Sequence, residues 1–188
     1  MKPVAAYLSL GSNLGDRESN IAQATMGLSI NFDILDIESS SYYESEPLYN
    51  LDQPYFLNSV VKCTTTLKPF EFLDVIKRIE KMLGRSEIRE KNAPRIIDID
   101  ILFHGDSILE TNELTIPHPM LGVRKFVLIP FAELEPHFKI PHSKITINDL
   151  LDHCIDTSIV TSHRMETQAW EIYIILQSKD RSVSVKPA

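Results

Sequence analysis

At 188 residues with 43% hydrophobic content, the chain is long enough to bury one well-packed core and short for two, so a single domain is expected. A formal net charge of −7 excludes a general nucleic-acid or membrane-surface binder, since both need a basic footprint, and any phosphate chemistry has to come from a local basic patch. Cys63 and Cys154, the only cysteines, fit neither a disulfide framework nor a zinc spacing, and no stretch approaches the roughly 20 apolar residues of a membrane span, so the expected location is cytoplasmic.

The chain opens with VAAYLSLGSN, a core strand stopped by a turn at Gly11-Ser12-Asn13, too early broken for a signal peptide. Asp16 is placed to cap a helix whose apolar positions Ile21, Ala24 and Leu28 follow helical spacing. Residues 32–43, FDILDIESSSYY, read as extended, and YESEPLYNLDQP, with its Pro, Asn and Asp, as a long loop. The β-branched run YFLNSVVKCTTT predicts another core strand. Pro69 then opens a helix with Phe72, Val75, Ile76, Ile79 and Leu83 on one stripe and Gly84 at its C-terminal cap. Polar RSEIREKNAP leads into PRIIDIDILF, residues 94–103, which has the composition of a buried strand; LTIPHPML follows as a proline-bearing loop, then FVLIPFAELEP as a helix in spite of Pro130. This order predicts an α+β, ferredoxin-like sandwich, with helices packed on a mainly antiparallel sheet.

PRIIDIDILF poses a physical problem. Side chains alternate along a strand, so Asp98 and Asp100 share one face while Ile97, Ile99 and Ile101 share the other. Two carboxylates among apolar neighbours raise each other's pKa and lose several kcal/mol each in solvation unless a cation sits between them. Mg²⁺ answers both difficulties, because it is held by one or two carboxylates and completes its octahedron with water and substrate phosphates. The competing reading is an edge strand whose polar face meets water.

Arginines cluster around the pair: Arg85 just past the helix, Arg89, and Arg95 three residues before Asp98. Guanidinium groups match phosphate oxygens in pairs and stay charged, so carboxylates beside arginines suggest a nucleotide polyphosphate. Arg89 reads better as part of a solvated face with Glu87 and Glu90. GSNLGD lacks the lysine of a P-loop, so side chains would have to hold the phosphates. Phe56 and Asn58 share a strand face, an aromatic plate beside an amide, which suits a planar heterocycle as well as it suits a core Phe with a chance Asn.

These residues carry a family resemblance. KNAPRIIDIDIL resembles the signature segment of 6-hydroxymethyl-7,8-dihydropterin pyrophosphokinases, folate-pathway enzymes that move pyrophosphate from ATP onto a pterin alcohol. YLSLGSNLGD, SEPLYNLDQPYFLNSVV, IEKMLGR and LTIPHPML...RKFVLIP resemble the same family in order and spacing, over roughly residues 4–155. The resemblance implies that Asp98 and Asp100 hold two Mg²⁺ ions and that Arg85 and Arg95 contact phosphate, these four being the catalytic set. It implies further ATP contacts at His118 and Arg124, places Ile101 on the adenine side, and matches Glu80 to a family acidic position on the ATP side. Phe56 and Phe126 correspond to the walls of the pterin slot, Asn58 to the reader of the pterin edge, and Ser45 and Leu48 to loop contacts. The implied reaction is attack by the hydroxymethyl oxygen on the β-phosphorus of ATP, releasing AMP, with segment 84–95 as a lid.

The chain departs from the family pattern at Asn92, where many members have Trp, and at Pro119, where many have Tyr; both bear on loop closure and the grip on ATP. Phe56 replaces a frequent Tyr and keeps the ring face. Residues 1–155 are expected to form the pyrophosphokinase domain. Residues 156–188 are an extension readable as an added strand, a subunit contact or a tail, with no second folate-pathway enzyme fused. Two rivals stay open: a glycosyltransferase, in which D-x-D holds a metal and a sugar nucleotide, and a ferredoxin-like regulatory module in which the Asp pair is incidental.

Overall fold

The apolar run after the N-terminus forms β1 (Val4–Ser12), an interior strand of the sheet with a partner on each side. This is a computed structural model, and it describes residues 2–85 and 93–164. Asp16 accepts the Ser19 N–H at 3.0 Å and caps α1 (Arg17–Ser29), which buries Ile21, Ala24 and Leu28. The extended stretch after it divides into β2 (Ile34–Ser39) and β3 (Tyr42–Ser45). Both pair with β4 (Phe56–Thr65), β2 along its C-terminal half and β3 along its N-terminal half. The break has a local cause: the Ser40 hydroxyl accepts the Val60 N–H at 3.0 Å, standing in for a ladder bond.

Pro69 begins α2 (Pro69–Met82), whose buried stripe is Phe72, Val75, Ile76, Ile79 and Glu80, and Gly84 at φ +92° turns the chain out of it. The strand expected over 94–103 starts later, as β5 (Asp98–His104). Pro94 has no N–H to give, and the backbone of Arg95 bonds to Asn13 instead of to a strand. LTIPHPML is not wholly loop: β6 (Leu109–Glu110) and β7 (Thr115–Ile116) form a small hairpin. A 3₁₀ turn over Leu121–Val123 precedes α3 (Lys125–Leu134), which tolerates Pro130 at a buried position. Next come α4 (Ile147–Asp152) and β8 (Val160–His163), which pairs with β3 beyond the span of the motifs.

The sheet runs β5-β1-β4-β3-β8, with β2 on β4, and every strand pairing is antiparallel. Alternation along β1 divides the interior in two. Ala6, Leu8 and Leu10 face α1 and α2, in one cluster with Phe72, Ile76 and Ile99; Tyr7 faces α3 and α4, in a second with Phe103, Phe131 and Ile147. A register shift between Tyr7 and Leu8 opposite β5 lets both Leu102 and Phe103 join the second cluster. This cluster covers only part of its face, and the site lies beyond its edge.

Phe131 of α3 anchors the second cluster, stacked on Tyr7 at 4.8 Å between ring centroids and edge-on to Phe103 at 5.7 Å. Phe131→Ala is expected to remove about 3–5 kcal/mol of stability, read as a lower urea midpoint at unchanged slope.

Candidate active site

Asp98 and Asp100 project from the face of β5 opposite Ile97, Ile99 and Ile101, which are packed into the core against α1 and α2. Two guanidinium groups close on Asp98: Arg85 Nη2 lies 2.5 Å from Oδ1, and Arg95 Nη1 pairs with Oδ2. Asp100 is held more loosely, 3.8 Å from Arg124 Nη1 and 3.9 Å from His118 Nε2. Desolvation, and then the charge of Asp98, push the Asp100 carboxyl up to about 6 against the pull of Arg124, Arg85 and Arg95. Burial, then Arg124, push the His118 imidazole down to about 4 in spite of Asp98, so it is neutral at pH 7. Its Nδ1 accepts the Met120 N–H at 3.2 Å.

The arginines are fixed from behind. Arg85 follows the turn at Gly84; its N–H donates to the Glu80 carbonyl at 2.9 Å and its guanidinium pairs with the Glu80 carboxylate. That carboxylate also accepts the Ile99 N–H at 2.8 Å, so one buried acid ties α2, Arg85 and β5 together. Arg95 is held through its backbone: its N–H donates to Asn13 Oδ1 at 2.7 Å, and its carbonyl accepts the Asn13 N–H at 3.1 Å. Asn13 Nδ2 donates to Gln53 Oε1 at 3.1 Å and to the Pro54 carbonyl at 3.2 Å, so the long loop and the arginine segment hang from the same turn.

Between these groups lies an open cleft. One end holds Arg95, Asp98, Asp100 and Arg124; the other holds Phe56, Asn58, Phe126, Ser45 and Leu48. Arg124 also stands over the Phe126 ring, 5.8 Å from its centroid. Asn58 is buried, and its Nδ2 donates to the Tyr43 carbonyl at 3.2 Å and to Ser45 Oγ at 2.9 Å. Neither bond uses Oδ1.

Ile101 and Glu80 do not line this cleft: Ile101 is in the core, and Glu80 acts on Arg85 and β5 from behind. His118 and Arg85 are not part of its lining either; they stand behind it, next to Asp100 and Asp98 respectively. Ser9, Gly11, Glu46, Tyr49 and Gln53 line it without having been singled out from sequence. The alternation of β1 puts Ser9 and Gly11 on one face, a signal present in the sequence; nothing local marks the three loop residues. Asn92, Arg89 and the central part of the expected lid lie outside the described residues.

The model of the 7,8-dihydro-6-hydroxymethylpterin-pyrophosphokinase (HPPK) family matches residues 7–136. The chain belongs to this family. Among HPPK relatives, the Haemophilus influenzae protein named 2-amino-4-hydroxy-6-hydroxymethyldihydropteridine pyrophosphokinase is 35% identical over 157 residues, 84% of this chain and 97% of that one. The Aquifex aeolicus protein of the same name is 46% identical over 132 residues, 70% of this chain and 80% of that one. Other HPPK relatives are much longer: this chain spans 21% of the Dictyostelium discoideum folic acid synthesis protein, at 43% identity, and 28% of the Arabidopsis thaliana folate synthesis bifunctional protein, at 41%. The fold matches the crystal structure of wild-type Plasmodium falciparum HPPK-DHPS with STZ-DHP, with a TM-score of 0.63 and 20% identity over 81% of this chain and 43% of that one.

The donor set fits a divalent cation that keeps open positions. Two carboxylates converge on one face, and burial, then the charge of Asp98, keeps the Asp100 carboxyl raised in spite of three nearby arginines. Among the described residues, no cluster of three or more His, Cys, Asp or Glu closes around an ion. Such an arrangement suits Mg²⁺, which takes its other ligands from water and phosphate.

A carboxyl whose pKa is higher folded than unfolded binds its proton more tightly in the folded state, so stability falls as pH rises from the ordinary carboxylate range to about 6. In metal-free buffer, Asp100→Asn is therefore expected to raise the melting temperature at pH 7. The gain should fade as pH drops from 6 toward 4, as a pH series of thermal melts will show.

Proposed function

We propose that this chain transfers pyrophosphate from ATP to the hydroxymethyl group of 6-hydroxymethyl-7,8-dihydropterin, releasing AMP, in the synthesis of folate. One observation carries the reading: a single cleft joins a carboxylate and arginine end suited to a polyphosphate with an aromatic and amide end suited to a flat heterocycle. The names of the HPPK relatives from Haemophilus and Aquifex supply the matching chemistry.

In this reaction an O–P bond forms between the hydroxymethyl oxygen and the β-phosphorus, and the bond from that phosphorus to the oxygen bridging the α-phosphate breaks, so AMP leaves. Positioning and charge neutralisation do most of the work in phosphoryl transfer. Phe56 and Phe126 are the walls that hold the pterin ring, with Asn58 Oδ1 at its edge and Ser45 and Leu48 along the loop side. Arg85, Arg95 and Arg124 carry the fixed positive charge for the phosphates, backed by neutral His118. Glu80 sets the direction of Arg85. Ile101 contributes from beneath, as the apolar backing of the strand on the nucleotide side. Asp98 and Asp100 would hold Mg²⁺, two ions in our reading, which would supply charge neutralisation for the phosphates and a greater acidity for the attacking hydroxyl. Every residue assigned a role lies between Ser45 and Phe126, which supports residues 1–155 as the catalytic unit and 156–188 as an extension. Dependence on ATP and a reduced pterin agrees with work in the cytoplasm.

Incubation with ATP, Mg²⁺ and reduced hydroxymethylpterin is expected to give AMP and not ADP, resolved by ³¹P NMR; ADP, or no reaction with pterin present, refutes the reading. Asp98→Ala should abolish this turnover while the fold, followed by circular dichroism, persists.

The two ends of the cleft should also separate in binding experiments. Phe56→Ala or Phe126→Ala is expected to weaken pterin binding by about 1–3 kcal/mol, while ATP affinity without pterin hardly changes. Arg95→Ala should weaken ATP by about 1.5–3 kcal/mol, with poor rescue by Lys, because a point charge replaces a fork. Titration calorimetry on each variant measures both.

A further inference from the structure

The floor of the cleft is the end of β1, and its last pocket-facing residue is Gly11. In the sheet register Gly11 stands opposite Asn58 on one side and opposite Asp98 on the other. Directly opposed residues point to the same face, so these three positions form one row across the sheet. Adjacent strands lie about 4.7–4.9 Å apart, which puts the backbones of Asn58 and Asp98 roughly 10 Å apart with only Gly11 between them. That span is bare because its middle residue has no side chain. A Cβ built on Gly11 would lie 3.4 Å from Asn58 Oδ1 and 3.9 Å from Cδ1 of the Phe56 ring. It would point into the gap between the amide and the aromatic wall.

The amide makes this gap selective. Both Nδ2 hydrogens of Asn58 are spent on Tyr43 and Ser45, so the buried side chain offers the cleft only its Oδ1, an acceptor. A heterocycle that docks here has to bring an N–H to that oxygen, and the ring edge needs the space over Gly11 to do so. The backbone does not require glycine at this position, because Gly11 sits in an ordinary extended strand, unlike Gly15, Gly84 and Gly105 with their positive φ. The contacts of an added Cβ are those of ordinary van der Waals packing, so the strand itself would accept alanine.

We infer that Gly11 is a specificity-determining residue: its missing side chain keeps the Asn58 acceptor open to the N–H edge of the heterocycle and clears the passage from that edge to the Asp98 carboxylate. The inference rests on the pyrophosphokinase reading and deepens its pterin site. A methyl group at this point excludes the ring edge from its acceptor without touching the phosphate end. The effect therefore falls on the pterin and not on ATP.

The test compares wild type, Gly11→Ala and Gly11→Val as full-length proteins. It uses thermal melts, calorimetric titration with MgATP alone, and titration with reduced hydroxymethylpterin in the presence of Mg²⁺ and a non-hydrolysable ATP analogue. Gly11→Ala is expected to melt within a few degrees of wild type and to keep its MgATP affinity within about twofold. Its pterin affinity should fall by about 10- to 200-fold, the range that one misplaced methyl produces in a fitted pocket, and Gly11→Val should fall further. Pterin affinity within about twofold of wild type in Gly11→Ala overturns the inference. So does an equal loss of ATP and pterin affinity, which would make Gly11 a structural residue. Wild-type turnover separates the two claims: if wild type makes AMP from ATP and pterin and Gly11→Ala does so at unchanged pterin KM, only the role of Gly11 falls, whereas absence of AMP with wild type removes both.

Discussion

Two negative charges on one face of a strand organise this protein. Asp98 and Asp100 repel each other in a half-buried setting, and much of the surrounding structure answers that repulsion. Arg85 and Arg95 close on Asp98, while Arg124 and His118 stand at longer range from Asp100. The balance is uneven: burial, and then the charge of Asp98, keeps the Asp100 carboxyl raised against the pull of the arginines. Guanidinium groups suit this duty because they stay charged and can serve a carboxylate and a phosphate from one planar fork. The same charges that tolerate the aspartates are therefore those a polyphosphate would meet.

Holding the arginines in place recruits residues that never touch the cleft. Glu80 is a buried acid on an otherwise apolar helix face, which would be unfavourable if it did not satisfy both Arg85 and the Ile99 N–H at the start of β5. Asn13 does the equivalent through backbone groups, binding Arg95 on one side and the loop at Gln53 and Pro54 on the other. A rigid sheet thus carries the carboxylates, while the opposing cations and the loop are tied to it by a few buried hydrogen bonds. Interactions to charged partners in such places are worth more than the same bonds in water.

The cleft exists because the second apolar cluster stops short. Helices cover both faces of the sheet, but α3 and α4 pack over Tyr7, Val60 and Phe103 and leave the end of β1 and β4 uncovered. At that end the strands change character from apolar to polar, with Asn58 and Gly11 where Val60 and Tyr7 stand farther along. The register shift opposite β5 helps, because it adds Phe103 to the face that Asp98, Asp100 and Leu102 already share, filling the covered end of that face while the aspartates stand at its open end. One sheet face thus serves as core at one end and as site at the other.

Much of this was legible in residue order. The strand period put the aspartates on one face and Ile97, Ile99 and Ile101 on the other, and the helical stripe from Phe72 to Ile79, the cap at Asp16 and the turn at Gly84 were all readable, because each depends on neighbours within a few positions. The same alternation argued that the Ile101 side chain points into the core, although the family resemblance set that residue on the adenine side. Register was not legible. That β1 lies between β4 and β5, so that Gly11 meets Asn58 and Asp98, is decided by pairing between segments more than 40 residues apart, to which no local pattern is sensitive. The division of residues 32–43 into two strands, the late start of β5, the hairpin that pairs the start of LTIPHPML with Leu109–Glu110 and the double service of Glu80 and Asn13 belong to the same class. Sequence by itself determined which residues carry charge, which carry rings and which way each points along its own element, because those are properties of one chain segment. Tertiary structure alone decided which of them share a cleft, because only the packing of distant strands and helices sets those distances.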